Sequence, residues 1–206
     1  MREMISVGTT KEDIMTAALH LFAKNGYEAV SVSQIAGALG MTKGALYRHY
    51  ENKREIFLHI VKRMEQQDGE QARQNEVPEE SIEKTPEEYQ NVSVEDFVGY
   101  SRSMFTYWTE DDFASSFRKM LTLEQFRNEE MQKLYQQYLV SGPADYVKDL
   151  FKNMNIKNPE ENAVKFYANM FFYYSVYDGE SDKEKAKCQF EHMLTEIAEE
   201  IRNSNN

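Results

Sequence analysis

Ser31-Val-Ser-Gln-Ile-Ala-Gly-Ala-Leu-Gly40-Met-Thr-Lys-Gly-Ala-Leu-Tyr-Arg-His-Tyr50 is the stretch on which the reading of this chain turns. Ser31 followed three residues later by Gln34 is a capping box: each side chain satisfies a backbone amide that the first helical turn leaves without a partner. Ile35, Ala36 and Leu39 give the helix its apolar side before Gly40 interrupts it. Thr42 then caps a further short helix holding Leu46 and Tyr47. Two short helices about a tight glycine turn make the pattern of a helix-turn-helix, whose second helix enters the major groove of DNA. Ala36 and Gly37 are small, which allows close approach of the pair, and Ile35, Leu39 and Leu46 can pack against a preceding helix.

The second helix would then present Thr42, Lys43, Gly44, Ala45, Tyr47 and His49 outward. Thr42 offers a hydroxyl and a helix-start amide to a phosphate oxygen. Lys43 can reach a phosphate or the acceptor edge of guanine, and Ala45 can touch a thymine methyl. Gly44 lets the backbone come close to the duplex. Tyr47 and His49 can donate to phosphate, and Lys53 adds a cation at the start of the next helix. Ser31, Ser33 and Gln34 complete the candidate DNA-contacting set. The bland reading is a pair of packing helices, with Tyr47 in a core and Lys53 a solvated charge. The combination of turn spacing, small residues and positive charge favours DNA.

Upstream, Lys11 to Asn25 places Ile14, Ala17, Ala18, Leu21 and Phe22 on one helical face. Downstream, a fourth helix over about 52–67 carries Ile56, Phe57, Ile60, Val61 and Met64. From Gln66 to Asn91 the chain turns polar and acidic, with Pro78 and Pro86, which predicts a frayed helix end and a mobile connection over 68–92. Beyond it Ser93, Asp111 or Asp112, Pro143, Asn158-Pro159 and the Ser181/Glu184 capping box mark further helix starts. The pattern is all-α, with nine or ten helices. It divides into a three-helix helix-turn-helix head at 1–55 and a larger helical body at 56–206.

A net charge of −11 argues against nucleic acid until it is divided along the chain. Residues 1–63 hold nine Lys and Arg against six Asp and Glu, whereas the remainder holds fifteen against twenty-nine. A basic head on an acidic body can bind DNA with the head alone. No apolar run of membrane-spanning length and no signal peptide are read, and the lone Cys188 excludes a disulfide framework, so a cytoplasmic protein without membrane association is expected. His20, His49, His59 and His192 show no metal-ligand spacing, and no phosphate-cradling glycine loop occurs. No catalytic residue, metal site or cofactor is expected.

From Ile14 to Val61 the sequence resembles the tetracycline-repressor (TetR) family. The resemblance rests on Leu21-Phe22, Asn25-Gly26-Tyr27, Ser31 to Ala36, Gly40 to Tyr50, and Asn52 to Glu55. Ala45 departs from it, since the family often has a hydroxyl or larger polar residue there. The resemblance implies a repressor acting on double-stranded operator DNA as a homodimer, its seam formed by the last two helices. These are Asn158–Tyr177 and Ser181–Arg202, with Phe166, Met170, Phe190, Met193, Leu194, Ile197 and Ile201 on their apolar faces. An intramolecular core is the alternative, and the sequence leaves both open. The resemblance also implies a small-molecule effector pocket, for which the candidates are Phe97, Tyr100, Met104, Trp108, Phe117, Leu121, Phe126, Tyr167, Phe171 and Tyr174. For any single one, core filling is the favoured reading. Glu110, Asp111 and Asp112 raise the idea of a cationic ligand, against which stands an ordinary acidic helix start. Control by a protein partner docking on Gln66–Asn91 is the alternative to a small effector.

Overall fold

The structure, a computed structural model, describes residues 9–74 and 92–204. Ten α-helices are present among these residues. The head holds α1 (Lys11–Asn25), α2 (Val32–Ala38) and α3 (Lys43–Leu46), and α4 (Lys53–Gln74) leads out of it. The body follows as α5 (Val94–Glu110), α6 (Asp112–Glu124), α7 (Glu129–Leu139), α8 (Ser141–Asn153), α9 (Pro159–Gly179) and α10 (Lys183–Ser204). The fold is all-α.

Local chemistry sets most of these boundaries. Thr10, Ser31 and Ser93 each close a capping box with the residue three positions on, Asp13, Gln34 and Asp96 respectively. Asp111 caps α6 by accepting from the amide of Ala114 at 2.8 Å. Each such cap stabilises a helix by about 1 kcal/mol. Three expectations are corrected. The capping residue of α10 is Asp182, which accepts from the Lys185 amide, while the Ser181 hydroxyl and amide are drawn back to Glu180. Pro143 lies at the third position of α8, because the helix already begins at Ser141. Helix α4 does not fray near residue 67 but runs on to Gln74, so residues 68–74 of the expected connection are helical. The remainder of that connection, 75–91, lies outside the described residues.

Buried side chains form one cluster running from Ile14 in α1 to Ile201 in α10, so head and body share a core. Helix α1 is central to that continuity, packing on α2, α4 and α6 together. Ile14, Ala18, Leu19 and Phe22 on α1 are fully buried. Helix α4 buries Ile56, Phe57, Ile60 and Met64 along one stripe. Polar ties flank the joint: Arg63 of α4 pairs with Glu12 of α1, Arg54 with Glu130 of α7, and His20 Nε2 lies 2.7 Å from the Asp112 carboxylate.

Candidate nucleic-acid interface and effector cavity

The helix-turn-helix is assembled by backbone bonds at its glycine. Gly40 adopts φ 63°, and this left-handed residue lets the Met41 amide turn back to the Ala36 carbonyl at 3.0 Å. Ile35, Ala36 and Leu46 are buried, and the Tyr50 hydroxyl donates to the Lys11 carbonyl at 3.0 Å, which fastens the end of the motif to α1. Gly37, expected at the helix crossing, is exposed, and a Cβ there would meet nothing within 4 Å. Only Ala36 of the two small residues faces the partner helix.

Of the sequence-derived DNA contacts, Ser31, Ser33, Gln34, Thr42, Lys43, Gly44 and Tyr47 are exposed, while Ala45 and His49 are half-buried. The hydroxyl of Ser31 and the amide oxygen of Gln34 are bonded to each other at 2.8 Å, so the Gln34 Nε2 donors remain for a phosphate. Thr42 Oγ1 accepts from the Ala45 amide at 3.1 Å and retains its hydroxyl proton to donate. Lys43 Nζ lies 5.6 Å from the centre of the Tyr47 ring, which sets the cation and the phenol side by side on one face. Gly44 has nothing within 4 Å of where a Cβ would stand, so no packing inside the chain calls for a glycine there. Arg48, exposed beside Tyr47, was passed over in the sequence reading, although its charge next to that residue was the available signal. Lys53 is a correction. Its ammonium donates to the carbonyls of Tyr27 at 2.8 Å and Glu28 at 3.4 Å, so it is held inside the molecule instead of reaching outward.

The body contains a cavity of about 430 Å³ between α4, α5, the α7–α8 corner and α9. Six of the ten expected effector contacts line it: Phe97, Tyr100, Met104, Trp108, Tyr167 and Tyr174. Four do not. Phe117 and Leu121 are wholly buried away from it, Phe117 lying edge-on to Tyr138. Phe126 is 86% exposed beyond the end of α6. Phe171 faces a separate cleft shared with Ala23, Lys24 and Arg118. The wall also includes Glu65 of α4, with Asp68 and Gln71 from the stretch expected to fray, and Tyr138 and Tyr146. Asp68 and Gln71 continue the Met64 stripe four and seven residues on, which was the signal that could have found them.

Behind the cavity, Arg118 is 5% exposed and binds Asp178 through two bonds of 2.9 and 3.0 Å. Its Nε donates to the Trp108 carbonyl at 3.0 Å and its guanidinium lies 5.2 Å from the Tyr174 ring centre. These contacts fix two aromatic walls. Glu110, Asp111 and Asp112 lie outside the cavity lining, since Glu110 pairs with Lys187, Asp111 caps α6 and Asp112 meets His20.

The expected dimer seam also needs correction. Phe166 and Met170 line the cavity, and Phe190 stacks on Phe105 with ring centres 3.9 Å apart. Met193, Leu194 and Ile201 are buried and Ile197 half-buried within the chain, because α9 and α10 turn these faces toward α5. The large apolar residues left open on α9 are Val164 and Phe172, at 58% and 59% exposure.

The profile of the family described as "Bacterial regulatory proteins, tetR family" matches residues 14–60, the segment that holds α1, the helix-turn-helix and the start of α4. Over these residues the chain is similar to that family. Over 61 residues it is 38% identical to the HTH-type transcriptional regulator AcrR of Shigella flexneri, covering 30% of this chain and 28% of that regulator. Over 51 residues it is 36% identical to the HTH-type transcriptional repressor AcnR of Corynebacterium jeikeium (strain K411), covering 25% of this chain and 27% of the repressor. The matched segment thus spans under a third of each relative's length. The solved structure of AibR in complex with isovaleryl coenzyme A and operator DNA superposes with a TM-score of 0.60 at 20% identity, over 89% of this chain and 97% of that one. The SmeT–triclosan complex gives 0.58 at 18% identity, over 89% and 88%. At such identities the likeness is one of fold alone, and it takes in the body as well as the head. No helix among the described residues is long and apolar enough to cross a membrane.

Proposed function

We propose that this chain is a DNA-binding transcriptional regulator, a repressor that leaves its operator when a small molecule occupies the body cavity, and not an enzyme. The observation that carries this reading is the course of α4. Its first turns are locked into the head by Lys53, Ile56, Phe57 and Ile60. Its later residues Glu65, Asp68, Gly69 and Gln71 are cavity wall. One helix of 22 residues, about 33 Å long, therefore touches both the recognition motif's support and the effector's space. A ligand that shifts its far end moves the recognition surface. The names of the relatives, regulator and repressor, support the same reading.

The division of labour follows a boundary at residues 55/56, with the head contacting duplex DNA in the cytoplasm. Four residues of recognition helix supply few base contacts, so specificity requires two heads on a two-fold site. The homodimer this demands is built on the open α9 face with Val164 and Phe172. A protein partner docking on Gln66–Asn91 is less favoured, because Gln66–Gln74 is helical and contributes to the cavity instead. Selection of binding sites from a random duplex pool tests the reading. It should yield a two-fold symmetric sequence bound with a steep salt dependence; binding without symmetry or without salt dependence would contradict it.

A further inference from the structure

We propose that Arg48 sets the sequence preference of the head, its guanidinium reading one guanine of each half-site from the major groove. This deepens the reading of the chain as a DNA-binding regulator and rests on it. Residues 31–50 carry two side chains of the Lys and Arg type, Lys43 and Arg48. Lys43 lies 5.6 Å from the centre of the Tyr47 ring. Arg48 is exposed, and its guanidinium meets no carboxylate, carbonyl or ring among the described residues. The cations to either side are engaged within the molecule. Lys11 lies over the Tyr50 ring, Lys53 binds two carbonyls and Arg54 pairs with Glu130.

Backbone geometry places that guanidinium at the end of the recognition helix. After Leu46 the coil tightens: the Arg48 amide donates to the Ala45 carbonyl at 3.2 Å, and the His49 amide to the Leu46 carbonyl at 2.8 Å. In such a turn a residue stands above the one three positions earlier. Arg48 is thus set over Ala45 and one turn past Gly44, whose methyl and hydrogen offer a base no polar atom. A long side chain with donors at its tip reaches beyond both. The other candidate readers are limited by their own bonds. An amide side chain reads adenine with its oxygen and nitrogen together. The Gln34 oxygen already accepts from the amide and the hydroxyl of Ser31, both at 2.8 Å. Thr42 Oγ1 accepts from the Ala45 amide, and Lys43 carries a point charge with no fixed fork. Arginine presents a planar fork of donors that matches N7 and O6 of guanine. Among the described residues of the helix-turn-helix, Arg48 alone holds such a two-pronged set unengaged.

The test uses the full chain and the duplex it selects from a random pool, labelled for anisotropy. Each base pair is exchanged in turn, symmetrically in both half-sites. The wild-type chain should require guanine at one position, where exchange for adenine costs about tenfold or more in affinity. Replacing that guanine by 7-deazaguanine, which pairs normally but lacks N7, should weaken binding too. Arg48→Ala should accept every base at that position about equally and keep its preferences elsewhere, with its melting temperature unchanged. Lys43→Ala should weaken binding evenly across the exchanges and keep the guanine preference. Even weakening by Arg48→Ala with the guanine preference intact would make Arg48 a phosphate contact and overturn the proposal. Loss of the preference in both variants, indifference to 7-deazaguanine, or a selected half-site with no required guanine would overturn it as well. Those failures leave the regulator reading standing. A wild-type chain that selects no sequence at all would bring down that reading, and this proposal with it.

Discussion

Lys53 donates to the main-chain oxygen of Tyr27 at 2.8 Å while its ammonium stands 4.2 Å from the centre of the same residue's ring. One side chain at the first position of α4 thereby ties together the loop after α1 and the helix that leaves the head. Tyr27 in turn packs edge-on to Phe22 and tilted against Phe57. The cation is part of the joint and not part of the DNA-facing surface. Lys53→Ala should lower stability by about 1–2 kcal/mol, in the range of a hydrogen bond from a charged group. DNA binding should weaken with its salt slope unchanged. A phosphate-contacting lysine behaves otherwise, its removal reducing the slope by about one with little change in melting temperature. Measuring both quantities on one variant decides between the roles.

That contrast shows where sequence reasoning reached its limit. Caps and glycine turns depend on residues three or four apart, so Thr42, Ser31, Ser93 and Gly40 could be placed from the chain alone. Lys53 meets carbonyls 25 and 26 residues away, and no local pattern distinguishes it from a solvated charge. The same holds for the body cavity. The aromatic stripe of α5 was visible, but its opposite wall comes from α4, whose polar residues past Met64 read as a helix losing its core. On α9 and α10 the apolar positions were recognisable as buried. Whether they were buried within the chain or between chains depended on α5, which periodicity does not reveal.

Arg118 and Asp178 join α6 to α9 through a two-pronged pair whose arginine side chain is only 7% exposed. Removing Arg118 leaves Asp178 with Lys119 alone, 3.5 Å away, and the Trp108 carbonyl without its donor, while removing Asp178 leaves the buried guanidinium without its carboxylate. Arg118→Ala should cost about 3–5 kcal/mol, the range for breaking a buried pair. Adding Asp178→Ala should cost less than the sum of the single changes. A double-mutant cycle by denaturant unfolding measures this, and strict additivity would show that the pair contributes nothing to the α6–α9 joint.

The Glu180 carboxyl between α9 and α10 is held down at about 2, chiefly by its bond from Lys185 and also by the amides of Asp182 and Ser181. A carboxyl depressed in the folded state contributes stability that is complete above its ordinary value and disappears as pH falls toward the folded value. The wild-type chain should therefore hold its advantage over Glu180→Gln above pH 4.5 and lose it progressively toward pH 2. Parallel acid titrations of the two proteins, followed by circular dichroism, provide the check. An advantage independent of pH across that window would mean that the carboxylate's charge is not what joins the two helices.

Phe172 stands open on α9 at 59% exposure, with Val164 two turns earlier at 58%. Since neither is needed by the chain's own core, Phe172→Glu should leave the folded subunit's secondary structure intact. It should still place a charge in the proposed seam, where two copies would face each other near the two-fold axis. Sedimentation should then shift from dimer toward monomer, and binding to a two-fold DNA site should fall steeply while half-site binding persists. A variant that stays dimeric would move the seam elsewhere.

Gly44 separates the needs of the free protein from those of the complex. The space beside its Cα is empty within 4 Å, and its φ is not among the positive ones, so an alanine fits without strain. Glycine inside a helix is destabilising by about 0.5–1 kcal/mol relative to alanine. Gly44→Ala should accordingly leave the melting temperature unchanged or raise it slightly. The added methyl would nevertheless stand where the backbone approaches the duplex, between the exposed side chains of Lys43 and Tyr47. DNA affinity should fall about tenfold or more, with the salt slope kept, because no phosphate contact is removed. Gain in stability with loss of binding is a combination that a packing role cannot produce. If binding by the alanine variant matches the wild type, the recognition helix does not come close to DNA at this residue, and the docking geometry inferred from the exposed face of α3 is wrong.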